Sequence, residues 1–410
     1  MRFDIDTYRE IADSIVRNKK RSLLTGFGIF WGLFMLLFLI GGGKGLKEML
    51  NSNFEGAATN ALLIAAQNTS MPYKGLQEGR WWQLENTDVE RLRMMIPEAE
   101  IVTGQVCDWG KSAVRDAHSF SCNLQGVTQD FAKIDAPRLK YGRYINEIDV
   151  LNERKVCVIG KRVYNELFPE GGDPCGQNIL VGSTYFRVVG LDISPGTINV
   201  NGNTSSSVRI PMSVAQKLMR RGDNLDVVCL VARSGVSTVN LEKRVRQIVA
   251  RQHRFDPADE PAMLAVNLEQ IFSMVDSLFK GVDFLILLVG LGTLLAGAIG
   301  VSNIMMVTVK ERTVEIGIRR AIGAMPQDIL AQIIEESIAL TLVAGSFGIV
   351  FSVLMLNLTE MLTGGQASFQ ITFWTAVMAA LLLALLGAAA GLAPALRAMH
   401  IKPVDAMRDE

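Results

Sequence analysis

The 410 residues carry 41 acidic and 41 basic side chains, with no long run of either sign. A nucleic-acid partner needs a cationic surface that displaces counterions, so this balance excludes nucleic acid as a partner. Histidine is scarce: His118, His253 and His400 stand far apart and at no metal-ligand spacing. The five cysteines contain no C-x-x-C pair, which removes the usual zinc and dithiol redox sites. No G-x-x-x-x-G-K-[ST], G-x-S-x-G or H-E-x-x-H occurs, and the glycines of GGGKG (41–45) have the wrong spacing for a phosphate loop. Neither catalysis nor a bound cofactor is expected of these residues. The glycines of 41–45 serve close packing or a bend instead.

Charge is missing in a second sense. Four stretches have none at all: Leu23–Ile40, Phe284–Val309, Ile338–Leu358 and Ile371–Pro394. A helix crosses a bilayer core of ~30 Å with about 20 apolar residues. Buried helices of a soluble protein mimic one such stretch but not four. The expected fold is therefore an integral membrane α-helical protein with four transmembrane helices. With no ionisable group at mid-span, a carrier or proton pump is disfavoured. Gly290, Gly292, Gly297 and Gly300, with Gly345 and Gly348, suit close helix packing instead.

Basic residues set the orientation. Arg9, Arg17, Lys19, Lys20 and Arg21 precede the first span, and Lys310, Arg312, Arg319 and Arg320 separate the second and third. Arg397, Lys402 and Arg408 follow the fourth, whereas 357–370 has no lysine or arginine. Both termini and 310–326 are expected in the cytoplasm and the large block 44–281 outside. The resulting order is a cytoplasmic amphipathic helix at 1–21, then transmembrane helix 1 at 22–43 and the outer domain at 44–281. Transmembrane helix 2 at 284–309 leads through the cytoplasmic segment 310–326 to helix 3 at 337–358, helix 4 at 371–394 and a tail at 395–410. Tyr8, Ile11, Ala12, Ile15 and Val16 share one stripe of the first segment, which fits a helix lying on membrane lipid or a short solvated tail.

The outer block mixes strand-like and helical runs, the pattern of an α+β domain. KVCVIG (155–160) reads as a buried strand followed by a short helix, QNILVGSTYFRVVGLD (177–192) as two strands around a turn, and VRIPMSVAQKLMRRG (208–222) as a strand leading through Pro211 into a helix. LDVVCLVA (225–232) is another strand, and LEKRVRQIVARQHR (241–254) an amphipathic helix. PGTINVNGNTSSS (195–207) has the composition of a loop. Leu268, Ile271, Val275, Leu278 and Val282 recur at heptad spacing and run into the second span. They imply membrane-proximal stalk helices. Their partner is the outward extension of the first span, the same region of a second copy, or the core of the outer domain. Cys107, Cys122, Cys157, Cys175 and Cys229 all lie in the outer block, where disulfides persist. Buried thiols fit Cys157 and Cys229, and Cys107 and Cys122 have a spacing that allows them to face each other across a hairpin.

Residues 311–326, ERTVEIGIRRAIGAMP, are unusually charged for a segment pinned between apolar spans. As a helix it aligns Val314, Ile318, Ala321 and Ile322 on one face, expected to rest on lipid or the bundle with the charges toward the cytoplasm. Glu315 and Arg319 form an i, i+4 pair, and Gly323 followed by Pro326 is a stop signal. Gly317 inside a helix costs about 1 kcal/mol relative to Ala, which points to close packing there, as in docking with a partner.

ERTVEIGIRRAIGAMPQDILAQIIEES resembles the signature that follows the second span in permeases of the MacB/FtsX type. PALRAMHIKPVDAMRDE is similar to that family's ending, RSLLTGFGIFWGLFMLLFLIGGGKGL to its first span, and GDPCGQNILVGSTYFRVVG to a strand pair of its outer domain. The resemblance implies a homodimer, or a pair of closely related permeases, in a bacterial inner membrane with the outer domain in the periplasm. It further implies a separate ABC ATPase that binds the ATP, since these residues have no nucleotide site. In efflux members a periplasmic adaptor and an outer-membrane channel complete the assembly. ATP-driven closure would be relayed to the periplasm, a mode called mechanotransmission. The coupling helix would comprise Glu311, Arg312, Glu315, Gly317, Arg319, Arg320 and Gly323. Lipoprotein release and control of a cell-wall hydrolase are alternatives within the family. A membrane receptor with an external sensor domain is an alternative outside it.

Overall fold

The computed structural model describes residues 19–52, 56, 58–194, 202–364 and 368–400. The stripe from Tyr8 to Val16, most of the 195–207 loop and the tail beyond 400 lie outside the described residues. The chain forms two compact units, Leu50–Ser277 and Met1–Met49 with Leu278–Glu410.

Helix α1 (Lys19–Ser52) leads into the first of these units. There β1 (Ala61–Ala66) is followed by β2 (Leu84–Glu85), α2 (Asn86–Met95) and the 17-residue β3 (Ala99–Arg115), which turns back into β4 (His118–Val127). An insertion carries β5 (Leu139–Gly142), α3 (Glu147–Leu151), β6 (Val156–Gly160), α4 (Lys161–Leu167), β7 (Asn178–Val181), β8 (Thr184–Asp192), β9 (Ser207–Pro211) and α5 (Met212–Leu218). The chain returns through β10 (Asn224–Leu225), β11 (Val227–Ala232), α6 (Thr238–His253) and β12 (Met263–Asn267).

Strand pairing resolves this order into two lobes. In the first, β12, β1, β11 and β3 lie side by side, all antiparallel. Because β1 and β3 flank β11, and β11 and β12 flank β1, two β-α-β units interleave, with α2 and α6 as their crossovers. Val89 and Leu92 of α2 and Leu241, Val245 and Val249 of α6 bury into one core with Val102 and Val228 of the sheet. The second lobe is a closed ring of six strands, β3-β4-β9-β6-β8-β7, because β7 pairs with both β8 and β3. Phe186, Ile159, Leu124 and Val208 fill its interior. Strand β3 belongs to both lobes. Its first half pairs with β11 through Gln105, and a register shift between Asp108 and Lys111 turns its second half into the ring.

That register shift also decides the cysteines. Cys107 stands opposite Gln125 and Cys122 opposite Lys111, so the hairpin does not bring the two thiols together, and none of the five cysteines is in a disulfide. Burial pushes the Cys122 thiol up to about 11, which keeps it unreactive.

Arg209 of β9 is 2% exposed and bridges much of the outer unit's polar interior. It donates to Asp192 Oδ2 at 3.1 Å, Gln125 Oε1 at 3.2 Å and Thr204 Oγ1 at 2.9 Å, and it also pairs with Asp135. A buried guanidinium is tolerated because each of its nitrogens has an acceptor.

The second unit holds α1 with α7 (Leu268–Glu311), α8 (Thr313–Ala321), α9 (Pro326–Leu362) and α10 (Phe373–Met399). The four long helices are each apolar and long enough to cross a membrane. Glycines set their spacing. The α-carbon of Gly297 lies against the Gly28 backbone, where a methyl would meet carbonyl carbon at 3.1 Å. The glycines of 41–45 lie within the unbroken helix α1 and serve close packing, with Gly41 against Leu356 and Gly45 against the Phe369 ring. Ser337 Oγ donates to the Gly387 carbonyl at 2.8 Å and Ser352 Oγ to that of Phe34 at 3.1 Å, tying α9 to α10 and α1.

Three carboxylates of the outer unit are held below their ordinary values. Burial alone would raise Asp149, but the Arg143 guanidinium, donating at 3.0 Å, and the Asn146 amide more than offset it. Burial would likewise raise Asp259, which instead accepts from Ser70 N and Ser70 Oγ at 2.7 Å and from Met71 N at 3.0 Å. Glu269 is lowered by the hydroxyl and amide of Thr238. A lowered folded-state value means stability that is complete above the ordinary values, 3.8 for Asp and 4.5 for Glu, and lost as pH falls through the folded values. The outer unit is thus expected to melt at constant temperature from pH 6 to 8, about the neutral plateau of such groups, and progressively lower below about pH 4.5. Thermal scans of the full chain in lipid nanodiscs, followed by circular dichroism, check this. Asp259→Ala is expected to cost about 2–3 kcal/mol at neutral pH, from the donors it leaves unpaired, and to flatten the acid dependence.

Candidate functional site

The charged segment 311–326 is a short helix bracketed by two specific stops. Helix α7 ends at Glu311, and Arg312, with φ −94° and ψ 15°, breaks the path before α8 starts at Thr313. At the far end the Gly323 amide donates to Arg320 O at 3.2 Å and the Ala324 amide to Arg319 O at 3.1 Å. This paired closure needs a left-handed residue, and Gly323 supplies it with φ +112°. Pro326 then occupies the first turn of α9, where Asp328 Oδ2 accepts from the Met325 amide at 3.3 Å.

The arginines face the bundle. Arg312 forks onto Glu315, with Nε to Oε2 at 3.0 Å and Nη2 to Oε1 at 3.2 Å, while its Nη1 reaches Glu336 Oε2 on α9 at 3.3 Å. Arg319 shares Glu315 at 3.1 Å and donates to Gln332 Oε1 of α9 at 3.1 Å. Arg320 donates to the Met399 carbonyl at 2.8 Å, in the last turn of α10, where the unpaired carbonyls of a helix end attract a cation. Glu336 is 7% exposed, so Arg312 supplies the charge that lets it stay buried. A cavity of about 20 Å³, the scale of one water, lies between Arg312, Glu315, Gln332 and Glu336.

This corrects the expected direction of the charges on α8 and, of the two supports expected for its apolar stripe, excludes the bundle. The apolar stripe does not lie on the bundle: Val314 and Ile318 are 44% and 45% exposed, Ile322 82%, and Ala321 is exposed too. Ile316 and Gly317 are the buried pair. The physical reason is that the guanidinium groups find acceptors on α9 and α10, which turns the face carrying Val314, Ile318 and Ile322 away from the bundle. Gly317 is covered by its own chain, so no partner is needed to explain it. Glu311 is exposed at the end of α7. Gln332 and the Met399 carbonyl could not be found from spacing, because each meets its arginine only through the packing of separate helices.

The stalk seam is also redistributed. Leu268 is buried and Ile271 packs beside it, both against the outer unit's core. Val275 and Val282 are half-buried and Leu278 is 62% exposed. The side of α7 that packs on its own chain is carried instead by Phe279, over whose ring Lys47 of α1 sits at 5.9 Å, and by Ile286. A helix with 3.6 residues per turn drifts off a strict heptad unless it supercoils.

The described residues thus form four helices apolar and long enough to cross a membrane, with one large α/β domain inserted between the first and second. Residues 22–248 match the family model for the MacB-like periplasmic core domain, and residues 287–403 that for the FtsX-like permease C-terminal region. The chain belongs to this MacB-like, FtsX-like family of ABC transporter permeases, membrane proteins with a periplasmic domain. It is 28% identical over 402 residues to the macrolide export ATP-binding/permease protein MacB of Chlorobium luteolum, covering 97% of this chain and 59% of that one. The protein of the same description from Agrobacterium fabrum is 28% identical over 404 residues, 98% of this chain and 60% of its own length. The chain thus spans about three fifths of the length of these relatives. Among solved structures, the periplasmic region of MacB from Actinobacillus actinomycetemcomitans matches 55% of this chain and 96% of its own, at 19% identity and a TM-score of 0.43.

Removing Arg312 strands the buried Glu336 carboxylate. Arg312→Ala is expected to destabilise the membrane unit by about 2–3 kcal/mol, below the usual value for a fully buried pair because Arg312 is partly exposed. Arg312→Ala with Glu336→Gln should recover more than half of that loss. Denaturation of the double-mutant cycle in lipid nanodiscs measures both.

Proposed function

We propose that this chain is the membrane subunit of a mechanotransmitting exporter, in which α8 receives ATP-driven motion from a cytoplasmic ABC ATPase. The observation that carries this reading is the two-sided build of α8. One side is bolted to α9 and α10 through Arg312, Arg319 and Arg320, and the other offers Val314, Ile318 and Ile322 to its surroundings. A helix held this way moves with the bundle when a partner grips its free side. Helix α7 is one unbroken run of 44 residues, about 66 Å long at 1.5 Å per residue, and suits the transfer of a displacement along its axis. The chain binds no cofactor in this reading, and ATP belongs to the partner. Two copies act together with both termini in the cytoplasm, the arrangement that best fits the basic residues beside the spans. Work is done in the periplasm, in efflux or export, with an adaptor and outer-membrane channel where the system is tripartite.

A receptor carrying an outer sensor domain predicts no dependence on an ATPase, and that separates the two readings. The partner is sought by affinity purification of the full chain from native membranes. An ABC ATPase at a stoichiometric level is the expected result, and its absence from every stable complex overturns the proposal. Ile318→Asp with Ile322→Asp is expected to abolish that co-purification while leaving insertion and the melting temperature unchanged. Arg319→Glu with Arg320→Glu should retain binding in part but uncouple ATP hydrolysis from transport, since α8 then slips on its own bundle. Wild-type coupling in that variant would sink the idea that the arginines transmit motion.

A further inference from the structure

Helix α7 is joined to the first lobe covalently and through a polar tie. Strand β12 ends at Asn267 and α7 begins at Leu268, with no loop between them. A covalent junction of this kind is by itself a pivot, since a few backbone torsions at the end of an element absorb a large rotation. The tie is made by Glu269, in the first turn of α7. Its Oε2 accepts from the Thr238 amide at 2.8 Å and from the Thr238 hydroxyl at 2.5 Å. Thr238 opens α6, and its Oγ1 also stands 2.6 Å from Asn267 Oδ1, which accepts from the Gln270 amide at 3.2 Å and so caps α7. Thr238 is fully buried and Asn267 is 5% exposed, so water competes little for these bonds. Ser237 holds the N-cap position of α6 and has a suitable hydroxyl, yet its side chain makes no capping bond. A carboxylate from another helix takes that place and closes the first turns of α6 and α7 together.

We propose that Glu269 makes the root of α7 a rigid joint, so that a displacement of α7 carries the first lobe with it as a body. Glu269 acts through Thr238 and is a positioning residue. Its carboxylate meets the amide end of α6, where the helix dipole and charge-assisted bonds both favour an anion. Helix α6 then passes the displacement on. Its Leu241, Val245 and Val249 are buried in the core they share with the sheet, and at its far end His253 Nε2 lies 2.9 Å from Asp88 Oδ2 of α2. A rotation of α7 about Asn267 that α6 did not follow would break the Glu269 bonds and strand the Thr238 amide in a dry site. Leu268 and Ile271 also pack on the outer unit's core, but apolar contact is non-directional and lets a helix turn. The carboxylate fixes the angle. This inference rests on the preceding reading for the source of the displacement and assigns the residue through which it enters the first lobe.

The test reads the freedom between α6 and α7 in the full chain in lipid nanodiscs, with Cys175→Ser because the other four cysteines are buried. Spin labels are placed at exposed positions of α6 (Gln247→Cys) and of α7 beyond the joint (Ser277→Cys). A second sample carries them on α6 and α2 (Gln247→Cys, Glu90→Cys), also exposed. Double electron–electron resonance gives the distribution of distances for each pair. Glu269→Ala is expected to widen the α6–α7 distribution about twofold, as a rigid joint becomes a hinge, and to leave the α6–α2 distribution unchanged. Glu269→Gln keeps the acceptor oxygen and should restore most of the narrow width. The proposal is overturned by an unchanged α6–α7 width in Glu269→Ala, by equal widening of both pairs, or by a width in Glu269→Gln as large as that in Glu269→Ala. If Glu269→Ala does not fold, Thr238→Val, which removes the shared hydroxyl, is measured by the same criteria. No nucleotide or ATPase is used, so the joint can fail while the ATPase reading stands, and the reverse.

Discussion

Arg312 holds three helices at one point. It interrupts α7, starts α8 and satisfies a buried carboxylate on α9. A peptide break at the edge of a membrane exposes backbone groups that need partners, and a buried glutamate there needs a cation. Arg312 supplies the cation and its neighbour Thr313, whose hydroxyl donates to Lys310 O at 2.7 Å, caps the break, so that α8 has a fixed direction although it spans only nine residues. Such a helix would be marginal in isolation. Its stability comes from Gln332, Glu336 and the Met399 carbonyl, which belong to the bundle.

The same economy appears in the outer unit, where β3 serves two lobes. Its register shift between Asp108 and Lys111 sends one strand from an open sheet into a closed ring. Closure removes the free edges that a strand would otherwise present to other chains. Arg209 then occupies the polar interior, joining Gln125 of β4 to Asp192 of β8 and Asp135 of the connecting turn. The outer unit is therefore stiffened by a closed hydrogen-bond ladder and by one neutralised buried network.

Local reading of the sequence succeeded where periodicity is strong. The charge-free spans, the buried run at Val156–Gly160, the turn at Gly182 and the Gly323–Pro326 stop all carry their physics within a few residues. It failed in β3, whose buried positions include Thr103 and Gln105 and so do not alternate apolar with polar. It also failed for the two faces of α8. An amphipathic pattern fixes that there are two faces, but whether arginine or isoleucine turns inward depends on which acceptors lie opposite. Those acceptors are 13, 24 and 79 residues away along the chain.

What the sequence by itself determined is the set of segments that must leave water and those that must remain in it. Hydrophobic transfer and backbone hydrogen bonding act residue by residue, so four uncharged runs and a mixed block between the first two are sufficient. Only the tertiary structure decided the closure of the six-stranded ring, the separation of Cys107 from Cys122, and the inward turn of Arg312, Arg319 and Arg320. Each of these rests on a pairing between groups remote in sequence, whose distance and register exist only after the helices and strands have packed.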